Sequence, residues 1–318
     1  MTTSLVTGAA GFIGSNLVRK LLDEGHNVRG VDNFETGRRQ NLEGVTDDEF
    51  ELYERDLATD ELADVLDGVD YVFHQAAVPS VPRSIDKPRL SIEANCIGTS
   101  ELLLAARDAD VERVVVAASS SIYGSSGNLP KREDQPVNPE SPYALTKYWT
   151  EELAMQFSDF YDLDTVALRY FNVFGPRQDP ESDYAAVVPK FARLMLNGER
   201  PTIYGDGEQS RDFTYIENVL QANYKAATSD VGGEMYNVAC GGRVTVNELV
   251  DELNDVLGTD IEPRYDDPRP GDVKHSHADI DKARADFGYE PTVQFREGLE
   301  RTVEALQQEE VENTSPTA

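Results

Sequence analysis

The sequence predicts an α/β fold: a doubly wound parallel sheet with a smaller C-terminal α/β lobe closing over it. Two observations carry the prediction. In the first half, short β-branched runs (3–7, 27–31, 50–54, 69–73, 111–117) alternate with stretches of helical spacing such as 12–23 and 91–109. Strands separated by helices pair in parallel. A helix near 143–161 and a strand at 164–170 continue the alternation. After about residue 175 the texture changes. "GPRQDPESDYAAVVP", "YGDGEQSRDF" and "DDPRPGDVKHS" are loop-rich and separate helices near 185–197, 216–228 and 245–257. The expected boundaries are a sheet domain over 1–175, to which later segments can add a strand or helix, a lobe over 176–306, and a polar tail over 307–318 that frays.

Composition narrows the function classes. With 318 residues, 39% of them hydrophobic, the chain can bury a substantial core. No apolar run is long enough to cross a bilayer, and "MTTSLVTGAAGFIG" reads as a first strand rather than a signal peptide. Cys96 and Cys240 cannot form a disulfide framework and neither belongs to a CxxC pair, so a reducing, cytoplasmic location is expected. The formal net charge is −30, and only eight of the 29 basic residues are Lys. Such a field repels nucleic acid and anionic membranes, so neither is an expected partner. Carboxylates spread along the whole chain point to a surface adapted to very high salt, where screening relieves self-repulsion. An ordinary acidic enzyme is the alternative.

"SLVTGAAGFIGSNLVRKLL" places Gly8, Gly11 and Gly14 between a strand and an amphipathic helix. A phosphate lying against bare N–H groups at a helix N-terminus needs such glycines, because side chains there would block it. About 20 residues on, "NVRGVDNF" ends a second strand at Asp32, where an acid accepts both ribose hydroxyls of NAD and repels a 2′-phosphate. Asp56, after the third strand, is placed to reach the adenine or to cap the segment that follows it.

"SPYALTKYWTEEL" sets Tyr143 four residues before Lys147, one helical turn apart on a shared face. A phenol is a poor base at neutral pH; a neighbouring ammonium, helped by a positive nicotinamide ring, is expected to favour the phenolate, and Lys147 can also hold the nicotinamide ribose. "VVVAASSSIYG" ends the fifth strand with Ser119, Ser120 and Ser121 at the carboxyl edge of the sheet, where doubly wound folds bind ligands. A serine there can bond the reacting hydroxyl and relay its proton to Tyr143. A turn held by local side-chain bonds is the plainer reading for Ser120 and Ser121.

Taken with "HQAAVPSVPRS", "LRYFNVFGPRQ", "GDGEQSRDFTYIENV" and "RPGDVKHSHADI", these motifs make nearly the whole chain resemble the extended short-chain dehydrogenase/reductases, specifically the nucleotide-sugar 4-epimerases. The resemblance implies a Rossmann-type NAD domain. It adds Phe12, Ile13, Asn33, Gly37 and Leu57 to the cofactor shell, with Gln75, Ala76, Ala77, Asn95 and Tyr170. It implies that NAD⁺ removes hydride from sugar C4 while Tyr143 takes the hydroxyl proton, and that the 4-keto sugar takes the hydride back on its other face. Relatives that dehydrate or decarboxylate carry an acid just after the position of Ser119; here Ser120 and Ser121 follow, which argues for simple redox. It further implies that Asn172 touches the diphosphate, Tyr204 holds the uracil, Arg211 and Arg269 grip the diphosphate, Asp272 binds the uridine ribose, and Val188 joins the substrate shell. Family members pair through a bundle that includes the Tyr-bearing helix, so a homodimer is expected.

"GDVKHSHAD" carries two of the four histidines, His275 and His277, but no other His or Cys cluster completes a metal site, so no metal is expected. The resemblance gives a different role. In strict UDP-galactose epimerases the position of Ser276 is a tyrosine walling the sugar pocket; in relatives that accept N-acetylated sugars it is small. Ser276 therefore implies room for a 2-acetamido group, and Ser80 and Arg83 would approach the sugar. The expected activity is C4 inversion of UDP-N-acetylglucosamine and UDP-N-acetylgalactosamine. UDP-glucose or UDP-glucuronate 4-epimerisation is the runner-up, ahead of a uronate decarboxylase, a net dehydrogenase or a non-catalytic NAD-binding protein.

Overall fold

The computed structural model describes residues 1–45, 48–125, 128–182, 185–268 and 273–314, with side chains described to residue 309. Seven parallel strands form the central sheet: β1 (Thr3–Thr7), β2 (Asn27–Asp32), β3 (Phe50–Glu54), β4 (Tyr71–His74), β5 (Arg113–Ser119), β6 (Asp164–Tyr170) and β7 (Glu234–Val238). Their order is β7-β6-β5-β4-β1-β2-β3, with Ser4 paired to Val28 on one side and to Tyr71 on the other. The chain therefore winds outward in two directions from the β1/β4 boundary, which opens a crevice at the carboxyl ends of those strands. β7 comes from the late, loop-rich part of the chain and pairs with β6 from Glu234↔Val166 to Val238↔Tyr170.

Period-two alternation divides the strands between two cores. Val6, Val115 and Ala117 face one, while Leu5, Val114 and Val116 face the other. Both faces of β5 are covered, so its residues 113–118 are all buried. Helix α1 (Phe12–Asp23) and helix α2 (Gly98–Asp108) pack on opposite faces through Leu17, Val18 and Leu21, and through Leu102, Leu103 and Ala106. Helix α3 (Pro142–Tyr161) starts with Ser141 as N-cap, accepting from the Ala144 N–H at 3.1 Å, and Pro142 in the first turn.

Two expectations change. The helical stretch expected over 91–109 begins at Pro88 and passes through a wider π-type turn at Glu93–Ile97 before α2. The tail does not fray at Gln307: the last helix runs Phe295–Thr314. Its Gln and Glu residues favour helix, and Glu309 approaches Arg193 at 3.6 Å. Among the described residues no helix is long and apolar enough to cross a membrane.

Candidate functional site

The carboxyl ends of the central strands open into a cleft of about 1270 Å³. Gly8 leaves β1 with φ +66°, and a Cβ there would lie 2.8 Å from Ala76 Cα. A Cβ on Gly14 would lie 2.0 Å from the Gly8 carbonyl oxygen. Only bare backbone fits this loop. Gly11 caps α1 without a side-chain bond, leaving the positive helix end to the cleft. Asp32 stands at the end of β2 and accepts the N–H groups of Ala10 and Phe34, each at 2.8 Å. Burial nonetheless pushes its carboxyl above the usual range, with those two bonds acting the other way. Gly37 packs on the same carboxylate: a Cβ would lie 2.6 Å from Asp32 Oδ1. Asp56 serves as the cap its sequence context allows and also lines the cleft. It accepts the Ala58 N–H and the Asn33 amide, each at 2.9 Å. Glycine loop, helix terminus and ribose-facing acid together fit a dinucleotide.

Gln75, Ala76 and Ala77 follow β4 into the cleft. Gln75 and Tyr170 are tied to Asn223, whose amide donates to the Tyr170 hydroxyl at 2.8 Å and whose oxygen accepts from Gln75 at 3.0 Å. Below them runs a relay fixed by donor order. The Ala76 N–H donates to Thr7 Oγ1 (3.2 Å), Thr7 lies 2.8 Å from His74 Nδ1, His74 Nε2 lies 2.8 Å from Thr99 Oγ1, and Thr99 donates to the Asn95 carbonyl (2.6 Å). The hydroxyl protons then require the Nε2–H tautomer. Burial pushes His74 down to about 3, so it stays neutral. Asn95 does not line the cleft. It clamps the Val78 backbone (2.7 Å) to Thr146 of α3 (3.0 Å).

Tyr143 and Lys147 both face the cleft, one turn apart on α3. The Tyr143 N–H donates to Ser84 at 3.0 Å, and its side chain lines the cleft together with Ser119. Ser119 Oγ lies 2.9 Å from Ser121 Oγ and also accepts the Ser121 N–H, so the turn role and the cleft role coincide. Ser120 lines the cleft beside them. Burial raises the Tyr143 phenol above its ordinary value, and the nearby Ser119 hydroxyl pulls it back only in part. The Lys147 amine is pushed down to about 8 by burial and donates to the Ala117 carbonyl at 2.8 Å. Helical spacing puts the two side chains on one face; the buried carbonyl then claims the amine.

Ser80 and Arg83 reach the cleft from a short helix, Val81–Asp86, that the Ser80 hydroxyl caps by accepting the Arg83 N–H. Asn172, Arg211 and Ser276 line the opposite wall. Asn172 donates to the Asp212 carbonyl at 3.0 Å and lies 3.5 Å from Ser276 Oγ. Arg211 donates to the carbonyls of Ser210 and Lys274. Val188 is instead buried in the core on the apolar face of the helix Val187–Leu196, and Tyr204 stands outside the lining on a strand paired with Arg264–Asp266. Arg269 and Asp272 lie outside the described residues. The two histidines of "GDVKHSHAD" part company: His275 Nδ1 lies 2.9 Å from Ser210 Oγ and His277 Nε2 lies 3.1 Å from the Gly241 carbonyl. Among the described residues no group of three potential ligands could hold a metal ion.

Arg177, Gln178 and Lys131 also line the cleft, and sequence reasoning passed over them as site residues. "GPRQ" was a readable signal for the first two. Lys131 is placed by long-range pairing that no local pattern reveals.

The profile of the NAD dependent epimerase/dehydratase family matches residues 4–239. A UDP-glucose 4-epimerase of Mycolicibacterium smegmatis is 40% identical over 305 residues, covering 95% of this chain and 97% of its own. Two solved structures are similar over nearly their full length. UDP-N-acetylglucosamine 4-epimerase from Methanobrevibacter ruminantium, in complex with UDP-N-acetylmuramic acid, gives a TM-score of 0.94 at 42% identity, covering 97% of this chain and 99% of that one. UDP-glucose 4-epimerase from Thermotoga maritima, with UDP-glucose, gives 0.92 at 38% identity with the same coverage.

Proposed function

The chain belongs to the NAD dependent epimerase/dehydratase family, and on that premise we propose that it is an NAD-dependent UDP-sugar 4-epimerase acting on UDP-N-acetylglucosamine and UDP-N-acetylgalactosamine. The observation that carries the reading is the placement of Ser119, Tyr143 and Lys147 together in the cleft at the carboxyl edge of the sheet, beside the glycine loop. Bound NAD supplies a reversible hydride acceptor at sugar C4. The chain's own residues do the rest. Tyr143 takes the C4 hydroxyl proton and gives it back, Ser119 holds the reacting oxygen, and Lys147, fixed by the Ala117 carbonyl, orients the cofactor ribose. Glycine loop and Asp32 hold the dinucleotide, with Gln75 and Tyr170 braced by Asn223. No acid follows Ser119, so nothing at that position would abstract a second proton for elimination.

The acetamido preference rests on Ser276, a small residue in the cleft wall. The names of two relatives, UDP-glucose 4-epimerases, favour the neutral hexose as second reading. A homodimer is supported by large apolar side chains left exposed on α3 and the segments packed on it: Ile85 61%, Ile92 51%, Leu145 59% and Trp149 38%. A cytoplasmic setting suits the free thiols of Cys96 and Cys240. The −30 charge suits high salt, and a melting temperature that rises with salt checks this. The function itself is tested by offering UDP-N-acetylglucosamine and UDP-glucose separately in high salt and following C4 inversion at equilibrium. Faster inversion of the acetamido sugar is expected. Inversion of UDP-glucose alone removes the substrate assignment, and stoichiometric NADH release removes the epimerase.

A further inference from the structure

The wall that carries Arg211 and Ser276 is tied together by a residue outside the described lining of the cleft. Its strap, residues 275–278, lies along the short strand Ser210–Arg211: Ser210 is bridged to His275, and its carbonyl accepts the Ser276 N–H at 2.9 Å. The next residue, Asp212, is 1% exposed. Its Oδ2 accepts the N–H groups of Ala278 and Gly241, each at 3.1 Å, and its Oδ1 accepts that of Cys240 at 3.0 Å. Its own carbonyl accepts the Asn172 amide at 3.0 Å, and that amide lies 3.5 Å from Ser276 Oγ. One residue thus joins the strand bearing Arg211, the strap bearing Ser276, the turn after β7 and Asn172.

Three N–H donors converge on this one carboxylate, which offers acceptors only and can satisfy them all. A protonated acid has to turn its O–H among the same donors, so at least one of the bonds is lost. An amide in its place meets the same conflict through its NH2 group. Burial pushes the Asp212 carboxyl up to about 6, with the Ala278 and Cys240 N–H bonds, and then the His277 ring, acting the other way. The other titratable groups that face it are the Cys240 thiol and the Tyr289 phenol. Burial is the main cause that raises both, the thiol up to about 12, so neither changes charge near pH 6. The folded carboxyl lies above the ordinary value of an unfolded chain, so the charged form costs stability as pH rises through about 6. What the charge secures is the geometry of the wall.

We propose that Asp212 is a positioning residue for the sugar wall: its carboxylate fixes the spacing of Arg211, Asn172 and Ser276, and the wall holds a UDP-sugar tightly only while Asp212 is charged. The inference rests on the epimerase reading above and deepens it. Asp212 acts through its neighbours, so its protonation is read in KM for the UDP-sugar. Proton transfer at Tyr143 and cofactor binding at the glycine loop stay as they are.

The test measures KM and kcat for C4 inversion of UDP-N-acetylglucosamine and of UDP-glucose across about pH 5 to 8 at fixed salt. NAD-loaded wild type, Asp212→Asn and His277→Gln are compared, with melting temperature and cofactor content as checks on folding. In wild type KM should rise as pH falls through about 6, and kcat should show no matching acid limb. Asp212→Asn should raise KM about 10-fold or more at neutral pH, change kcat less than about threefold, and abolish the acid limb. His277→Gln should keep that limb, at the same or slightly higher pH, which assigns it to the carboxylate rather than the ring. A wild-type KM that stays flat through pH 6, or a limb that vanishes in His277→Gln, overturns the assignment while leaving the epimerase intact. So does a folded Asp212→Asn protein whose turnover and cofactor content fall as far as its affinity, the result a purely structural residue would give. The wild-type and His277→Gln profiles decide the matter even where Asp212→Asn fails to fold. If wild type inverts neither sugar, the epimerase reading falls and takes this one with it.

Discussion

The two halves of the cleft are built by different means. On the β1–β2–β3 side the lining is mainly backbone and acids: the glycine loop, the open end of α1, Asp32 and Asp56. The loop, the helix end and Asp32 follow one another within a single strand–helix–strand unit, with Gly8 also pressed against Ala76. On the β5–β6 side the wall is assembled from segments far apart in sequence, residues 119–124, 131, 172, 211 and 273–276, and its charged groups are cations. A dinucleotide half built locally tolerates change elsewhere. A sugar half built from long-range pairing depends on the register of several loops at once.

Four experiments press on this difference. The largest effect is expected where the halves meet. Tyr143→Phe should lower turnover about 10²- to 10⁴-fold while the cofactor stays bound, measured as C4 inversion beside cofactor content. Retention of most activity would show that another group carries the proton. Next, Ser276→Tyr should close the sugar wall, lowering inversion of UDP-N-acetylglucosamine by about 10²-fold or more and that of UDP-glucose far less. Equal losses would mean that the wall does not face C2. Third, Asp32→Ala should weaken NAD binding by roughly 10-fold or more through the lost charge-assisted ribose bonds, with UDP affinity unaltered by calorimetry. A matching fall in UDP affinity would erase the distinction between the halves.

The smallest effect concerns the phenol itself. Burial holds the Tyr143 pKa above its ordinary value, so the neutral form is the favoured one through neutral pH and up to its ordinary titration range. The phenolate absorbance lost on Tyr143→Phe, read in cofactor-free protein, should therefore appear only above about pH 10. A signal near neutrality would show that Lys147 lowers the phenol even without the nicotinamide ring. With Lys147 pushed down to about 8 by burial, its own proton leaves as pH rises through that value, so its help to any phenolate fades on the alkaline side.

Much of the dinucleotide half was legible in the sequence. The spans 12–23, 50–54 and 164–170 agree with the structure residue for residue, because each has a clean period bounded by turn residues. The glycines and Asp32 read directly as a site for the same reason. β7 escaped notice: "EMYNV" is five residues among turn signals, and only pairing with β6 makes it a strand. Asn223 escaped too, since a buried amide on a helix announces nothing until its partners Gln75 and Tyr170 are seen. Tyr204 and Val188, placed by resemblance, stand off the described cleft because their own strand and helix turn them to other neighbours.

The sequence by itself determined the parallel architecture, the dinucleotide loop and the Tyr–Lys turn, since each depends on spacing along one or two adjacent elements. Only the tertiary structure decided where the protons and charges rest. The Lys147 amine goes to the Ala117 carbonyl, burial holds the Tyr143 phenol above its ordinary value, and Lys131 joins the cleft lining through its bridge to Ala278. A pKa or a specificity wall is set by burial and by partners from distant segments, and neither is a property of any local run of residues.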